Sequence, residues 1–215
     1  MNQPIKHREL LFREFLRKAF HVTGSLIPVA YYFLNKETVV LLLSLINAVL
    51  LIIEWLRIKG KIKIPEKLLR PHENGHVAAY IYFQMAALIS ILVFDKTIAI
   101  AALLMLVFGD TASGIAGAII RGGNIRHSNN RASIKPFPIM AVIFFVCFMI
   151  GILLSSMPLG EDMVYFPLPV YVAGAIGATI GDSVPLRFMG RAIDDNLLIP
   201  LLSGVFMTIA VTLLV

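Results

Sequence analysis

Two aspartates lie inside apolar stretches of the sequence, where charged side chains are rare. Asp110 lies in FGDTASGIAG and Asp182 in ATIGDSVP, and a glycine directly precedes each of them. A carboxylate at the centre of a membrane helix costs about 2.5–3.5 kcal/mol on insertion scales, so it normally faces the bundle interior and has a partner or a function. Close backbone approach beside a carboxylate suits a metal–phosphate site, because Mg²⁺ binds one or two carboxylates together with phosphate oxygens.

Other polar side chains border the ends of apolar stretches. His21 lies in RKAFHVTG, Glu54 lies in LLIIEWLR, and the triplet Asp194–Asn196 precedes the apolar run at the end of the sequence. Each has a structural alternative. Arg57 stands at i+3 from Glu54 and can pair with it, and the triplet can cap the start of a helix.

The composition indicates a membrane protein. The chain of 215 residues is 58% hydrophobic and 15% charged, with a mean hydropathy of +0.84, whereas soluble domains carry about 25% charged residues. A single cysteine, Cys147, excludes an intramolecular disulfide framework.

Apolar runs of membrane length predict an all-α, multi-pass fold with seven transmembrane helices, because about 20 apolar residues cross a bilayer as a helix. Residues 19–215 form one predicted transmembrane domain, and residues 1–18 form a predicted amphipathic interfacial helix. The predicted spans are 19–34, 37–56, 75–94, 97–120, 137–156, 165–188 and 197–215.

The basic residues predict the orientation of these spans. Of the 19 lysines and arginines, 17 fall on one side, and Lys36 and Lys96 fall on the other. Since basic residues are retained in the cytoplasm, the N-terminus is predicted to be cytoplasmic and the C-terminus to lie outside. All the candidate residues then lie toward the cytoplasmic face. The net charge of +6 indicates binding to anionic lipid headgroups, and we expect no nucleic-acid partner.

Carboxylates that face lysines and arginines at a membrane surface suit phosphoryl transfer between a nucleotide and a lipid. The carboxylates would hold Mg²⁺, the basic side chains would bind phosphate oxygens, and one carboxylate or the histidine would orient or deprotonate a lipid hydroxyl. The sequence contains no Walker-type phosphate loop, no dinucleotide-binding glycine motif and no zinc-ligand spacing. From the residues alone, a transporter that uses the two aspartates as ion or proton sites stays open.

The order of these motifs resembles the CTP-dependent polyprenol kinase family, which includes dolichol kinases, phytol kinases and the CTP-using diacylglycerol kinase of yeast. RKAFHVTGSLIP resembles the family's opening R-K-x-x-H segment, and FGDTASGIAG resembles its G-D-x-x-A-x-x-x-G element. EWLR resembles the acid and base at the end of the family's second span. RPHENGHVAAYIYF resembles the family's R-x-x-E stretch. DDNLLIPL matches the closing D-D-N-x-x-[IV]-P-L motif and is the most specific match.

The resemblance implies transfer of the γ-phosphate of CTP to the hydroxyl of a membrane isoprenoid alcohol or related lipid, with Mg²⁺ as cofactor. The implied catalytic residues are His21, Glu54, Asp110 and Asp182. The implied metal ligands are Asp110, Asp194 and Asp195. The implied nucleotide-binding residues are Arg17, Lys18, Arg57, Arg70, Gly109, Ser113, Gly117, Arg131, Ser133, Lys135 and Asn196.

The sequence departs from the family pattern in the loop 126–137. The loop reads NNRASIKPFP where the family has K-[ST]-x-E-G-[ST], Ala118 stands where the family has an arginine, and Asp182 replaces a glutamate. The alternatives are therefore a lipid cytidylyltransferase, a catalytically altered relative and a transporter. The expected location is a prokaryotic-type cell membrane with the site facing the cytoplasm, and a homo-oligomer is left open.

Overall fold

The computed structural model describes residues 18–19, 21–62, 77–120, 134–188 and 191–214. These residues are helical apart from short connections and one ribbon of two-residue strands, so the predicted all-α class is confirmed. The predicted interfacial helix over 1–18 lies outside the described residues except for Lys18.

The described residues form seven helices, and each overlaps one of the predicted spans. Four of them, α2, α4, α5 and α7, are long and apolar enough to cross a membrane, and α3 is a shorter apolar helix. The helices are α1 Leu26–Phe33, which follows a 3₁₀ turn Thr23–Ser25, α2 Lys36–Ile58, α3 Ala79–Val93, α4 Lys96–Ile120, α5 Phe137–Ser156, α6 Leu168–Ser183 and α7 Asp195–Leu214.

Helix α6 is shorter than the predicted span 165–188. It ends at Ser183, and Val184 has an extended backbone with φ −102° and ψ 119°. The physical reason is Pro185, because proline disfavours helical dihedrals in the residue before it. The chain then forms β1 (Arg187–Phe188), which pairs antiparallel with β2 (Arg191–Ala192).

Helix α4 runs through the middle of the bundle. In the most apolar 18-residue stretch of α4, 67% of the residues are buried, whereas the corresponding stretches of α2, α5 and α7 are 22–33% buried. A π-helical segment, Met105–Gly109, interrupts α4, and the α-helix resumes at Asp110. Such π segments are frequent at functional sites.

Helices α6 and α7 pack with their backbones in contact. A Cβ atom at Gly177 would lie 2.6 Å from a carbonyl oxygen of α7, and one at Gly181 would lie 2.9 Å from a carbonyl carbon of α7. Glycines at such spacing allow close helix approach. The approach brings the C-terminal end of α6 beside the N-terminal end of α7.

The end of the bundle where α4 begins is tied together by hydrogen bonds. The ammonium of Lys96 donates to the carbonyl oxygens of Leu34 at 3.1 Å and Glu161 at 2.7 Å. The Thr97 hydroxyl donates to the Val164 carbonyl at 2.9 Å and accepts from the Val164 N–H at 3.0 Å. The candidate site lies toward the opposite end, where α5 and α7 begin and α6 ends.

Candidate functional site

Three aspartates from different helices converge at that end. Asp110 follows the π segment of α4, Asp182 lies next to the end of α6, and Asp195 begins α7. One carboxylate oxygen from each lies within 4.8 Å of the others. Asp110 and Asp182 are buried, with 5% and 6% of their surface exposed, and Asp195 is half-buried. We call these three residues the acidic cluster.

Asp110 is paired with a lysine from the N-terminal segment. The ammonium of Lys18 donates to Asp110 Oδ2 and to the Asp110 carbonyl oxygen, the latter at 2.7 Å. His21 Nε2 lies 3.3 Å from the same Oδ2. The imidazole also packs edge-on against the Phe83 ring, with centroids 5.0 Å apart. Two predicted site residues, Lys18 and His21, therefore meet at Asp110.

Asp182 is paired with a second lysine. The ammonium of Lys135 donates to Asp182 Oδ1 at 2.7 Å and to Ser113 Oγ at 3.0 Å. The Ser113 hydroxyl in turn donates to Asp182 Oδ2 at 2.8 Å, and the Ser183 hydroxyl donates to it at 3.3 Å. Both oxygens of Asp182 thus accept hydrogen bonds, and Ser113 and Lys135, predicted as nucleotide-binding residues, lie beside the acidic cluster.

The cluster also holds the charge of Lys135. Burial lowers the pKa of this ammonium, but the carboxylates of Asp182, Asp195 and Asp110 outweigh burial, and the pKa is raised above its ordinary value of 10.5. Because the pKa is raised on folding, protonated Lys135 stabilises the folded protein fully at any pH below the ordinary pKa. This stabilisation is lost only as the pH rises through the raised pKa of the folded state. Lys135 is therefore a cation throughout the neutral range.

The triplet at the start of α7 divides between two roles. Asp194 Oδ1 accepts from the Asn196 N–H at 3.1 Å and from Asn196 Nδ2 at 2.8 Å, which is the capping role that the sequence left open. Asp195 instead joins the acidic cluster. The Asn196 N–H also donates to Asp195 Oδ1 at 3.1 Å, so the two aspartates share this backbone contact, but of the two only Asp195 has an oxygen in the acidic cluster of the described residues. Asp194, predicted as a metal ligand, lies outside the cluster, and Asp182, predicted as catalytic, lies within it.

Asn196 keeps one unused acceptor beside the cluster. Its surface is 3% exposed, and its Oδ1 has no hydrogen-bond partner among the described residues. The backbone carbonyl of Asn196 is a second acceptor: the residue four positions further along α7 is Pro200, and proline has no N–H for the usual helical hydrogen bond. The predicted nucleotide contact thus has an unused acceptor within the part of the chain that is described.

Glu54 and Arg57 form a separate group at the end of α2. Arg57 Nε and Nη2 donate to the two carboxylate oxygens of Glu54, each at 2.7 Å. The Ala78 N–H donates to Glu54 Oε1 at 2.7 Å and the Tyr80 hydroxyl to Oε2 at 2.6 Å. We call this group the Glu54 clamp. The pairing of Glu54 with Arg57 is the structural alternative stated above, and the hydrogen bonds from Ala78 and Tyr80 join α2 to the start of α3.

The remaining predicted residues divide by location. A Cβ atom at Gly109 would lie 2.8 Å from Cys147 Sγ, so this glycine allows α4 to pack against α5. Gly117 is buried two turns beyond Asp110 on α4. Arg17, Arg70, Arg131 and Ser133 lie outside the described residues.

Sequence reasoning missed two side chains in these groups. Ser183 donates to Asp182, and its position directly after the aspartate was a signal for it. Tyr80 donates to Glu54 across 26 positions of sequence, and no local pattern indicated that contact.

The donor set of the acidic cluster fits a small divalent cation. Mg²⁺ prefers oxygen ligands and is usually held by one or two carboxylates together with water and phosphate oxygens. Three carboxylate oxygens within 4.8 Å of one another meet this preference. Asp110, Asp182 and Asp195 are therefore the residues that could hold such an ion.

Comparison with known proteins adds no relative to this picture. Neither a protein-family model, nor a curated protein, nor a solved structure matches the chain. The class defined by fold and site is an all-helical protein with four helices long and apolar enough to cross a membrane and an acidic cluster in which the two buried aspartates contact lysines.

Proposed function

We propose that the protein is a membrane lipid kinase that transfers the γ-phosphate of CTP to the hydroxyl of an isoprenoid alcohol or related lipid, with Mg²⁺ as cofactor. The observation that carries the proposal is the acidic cluster and its two lysines. Three carboxylates within 4.8 Å repel one another in a buried site, so the arrangement favours a bound cation. Phosphoryl transfer requires such a cation together with basic groups for the phosphates.

The chain's own residues divide the work of binding. Asp110, Asp182 and Asp195 would hold Mg²⁺, which neutralises phosphate charge and orients the γ-phosphate when it is bound. Lys18 and Lys135 contact two of these carboxylates, and in this proposal they would bind phosphate oxygens.

In the transfer, the lipid hydroxyl oxygen bonds to the γ-phosphorus. The bond from that phosphorus to the oxygen bridging the β-phosphate breaks, and CDP leaves with the bonding electron pair. The hydroxyl proton passes to a base, and we assign this role to His21. Both oxygens of Asp182 already accept hydrogen bonds, whereas His21 lies beside Asp110, 14% exposed.

The proposal includes the membrane topology that the basic residues predict. Seven crossings with a cytoplasmic N-terminus place the acidic cluster near the cytoplasmic surface of a prokaryotic-type cell membrane, where CTP is available. The 17 basic residues on that side would bind anionic headgroups. The lipid acceptor would reach the site from the bilayer.

The test is a product assay with the purified protein in detergent, supplied with CTP, Mg²⁺ and a polyprenol. We expect CDP and a polyprenyl phosphate, and we expect Asp110→Asn to lower the rate at least ~100-fold, as removal of one electrostatic contact in a buried site does. Asp162→Asn is the matched control, since Asp162 is exposed and lies near the Lys96 end of the bundle. An Asp110→Asn rate equal to that of the control would contradict the proposal, and pyrophosphate in place of CDP would indicate a cytidylyltransferase.

A cation or proton transporter is the second candidate. It is favoured by the burial of Asp110 and Asp182 and by their pairing with lysines, since ionisable residues inside membrane helices mark ion and proton pathways. The same protein reconstituted in vesicles would then move protons or cations across the bilayer and form neither CDP nor pyrophosphate.

A further inference from the structure

We propose that Lys18 and Lys135 are resident counter-cations of the acidic cluster, which exchange the carboxylates for phosphate oxygens when a divalent cation and a polyphosphate bind together. This inference rests on the proposed function, because it takes the acidic cluster to be the metal site. Its consequence is that metal and nucleotide bind cooperatively, each weakly alone and tightly together.

The first argument is the position of the two ammonium groups. Lys18 Nζ contacts Asp110 Oδ2, and Lys135 Nζ contacts Asp182 Oδ1 at 2.7 Å. The Lys18 side chain is 2% exposed and that of Lys135 is 29% exposed. These are carboxylates that a divalent cation would use, so each ammonium competes directly with the metal.

The second argument is the charge of the group as a whole. Among the described residues, the three carboxylates and the two ammonium groups that contact them carry one net negative charge, with His21 not counted. A divalent cation alone would change this to one net positive charge, while the displaced ammonium groups would lose their partners. An unpaired buried charge is unfavourable. A polyphosphate that arrives with the metal supplies negative oxygens for both ammonium groups and removes the penalty.

The third argument is that lysine is suited to such a move. Its ammonium is a compact charge with three donors on a flexible four-carbon stem. The ammonium of Lys135 is already shared between Asp182 and the Ser113 hydroxyl. A rotation of the stem can therefore carry it to a phosphate oxygen without a change in the backbone.

The test measures metal binding directly, using Mn²⁺ as the probe and its electron paramagnetic resonance signal as the readout. The full-length protein in detergent is titrated with Mn²⁺ alone and with Mn²⁺ plus CTP, without lipid acceptor. For the unmodified protein we expect CTP to tighten Mn²⁺ binding by a factor within the usual range of allosteric coupling, about 5–150-fold. For Lys18→Met and Lys135→Met we expect tighter binding of Mn²⁺ alone and a smaller effect of CTP.

Two controls keep the result interpretable. Lys36→Met makes the same chemical change at an exposed position toward the other end of the bundle, and it should match the unmodified protein. Lys135→Gln also removes the positive charge, so it takes the place of Lys135→Met if that variant does not fold, and it too should bind Mn²⁺ alone more tightly.

The outcomes separate this inference from the proposed function. Equal affinity for Mn²⁺ alone in the unmodified protein and in the folded methionine variants would overturn the exchange of lysines, even if CDP is formed. Absence of Mn²⁺ binding in the folded, unmodified protein, even with CTP present, would overturn both. Cooperative Mn²⁺ and CTP binding that weakens in the methionine variants, with no CDP formed when a polyprenol is supplied, would support the lysine exchange and reject the kinase.

Discussion

The acidic cluster and the Glu54 clamp are both buried groups of charged side chains, but they differ in how their charges are balanced. In the clamp, one carboxylate accepts four hydrogen bonds, and its one guanidinium partner binds both oxygens. In the cluster, three carboxylates lie within 4.8 Å of one another and share two lysines. Counted over the part of the chain that the structure describes, the clamp has one cation for one carboxylate, whereas the cluster has two cations for three carboxylates.

This difference separates a structural ion pair from a candidate site. A saturated carboxylate such as Glu54 has no lone pair to spare for a ligand, and its partners come from the end of α2 and the start of α3. A group with more carboxylates than cations gains stability when another cation binds. The two groups should therefore respond in opposite ways to removal of a carboxylate.

The largest expected effect is on stability, from Glu54→Ala. This change leaves the buried Arg57 guanidinium without its carboxylate, and breaking one side of a buried pair is expected to lower the free energy of unfolding by about 3–5 kcal/mol. Equilibrium unfolding in mixed detergent micelles measures it.

The double variant Glu54→Leu with Arg57→Leu is the control for the clamp. It removes both charges, and replacement of a buried ion pair by apolar residues is often neutral or stabilising. We expect it to recover most of the stability while the Mn²⁺ response persists. Loss of that response in the double variant would place the clamp in the metal site and erase the distinction between the two groups.

The second effect concerns the packing that places Asp182 beside Asp195. Gly177→Ala puts a Cβ atom 2.6 Å from a carbonyl oxygen of α7, so the helices must separate, and overpacking of this kind costs about 1–3 kcal/mol. Since the separation also moves two of the three carboxylates apart, we expect weaker Mn²⁺ binding as well as lower stability.

Ile176→Leu is the matched control for this change, since Ile176 lies on the same helix with 42% of its surface exposed. It should alter neither property. If Gly177→Ala lowered stability but left Mn²⁺ affinity unchanged, the close approach of α6 and α7 would be a packing feature only.

The helices of this fold were predictable from local sequence, and their irregularities were not. Apolar runs long enough to span a bilayer located α2, α4, α5 and α7, because each helix satisfies its own backbone within one segment. Hydropathy does not register a π segment, so Met105–Gly109 left no trace in the prediction. Pro185 was visible in the sequence and should have ended the sixth segment earlier.

The site was predictable as a set of residues but not as a geometry. Asp110 and Asp182 were candidates because charged groups inside apolar helices are rare, and Lys135 was a candidate through the family resemblance of its loop. Which of Asp194 and Asp195 enters the cluster depends on the rotation of α7 about its axis, and adjacent residues carry no signal for that. The separation of Glu54 from the cluster depends on contacts with α3, which sequence spacing does not contain.

The smallest expected effect on stability, and the sharpest test of the comparison, is Asp195→Asn. Asp195 is half-buried and is one of three like charges, so its loss relieves repulsion while it removes a negative charge that acts on Lys135. We expect the free energy of unfolding without metal to change by less than about 0.5 kcal/mol, as for a surface substitution, but we expect the Mn²⁺ response to disappear.

Asp194→Asn, one residue away in the capping position, should keep that response. If Asp195→Asn and Asp194→Asn had the same Mn²⁺ response, metal binding would not depend on the cluster position more than on the capping position. A loss of several kcal/mol in Asp195→Asn would make the cluster a structural ion-pair group like the clamp.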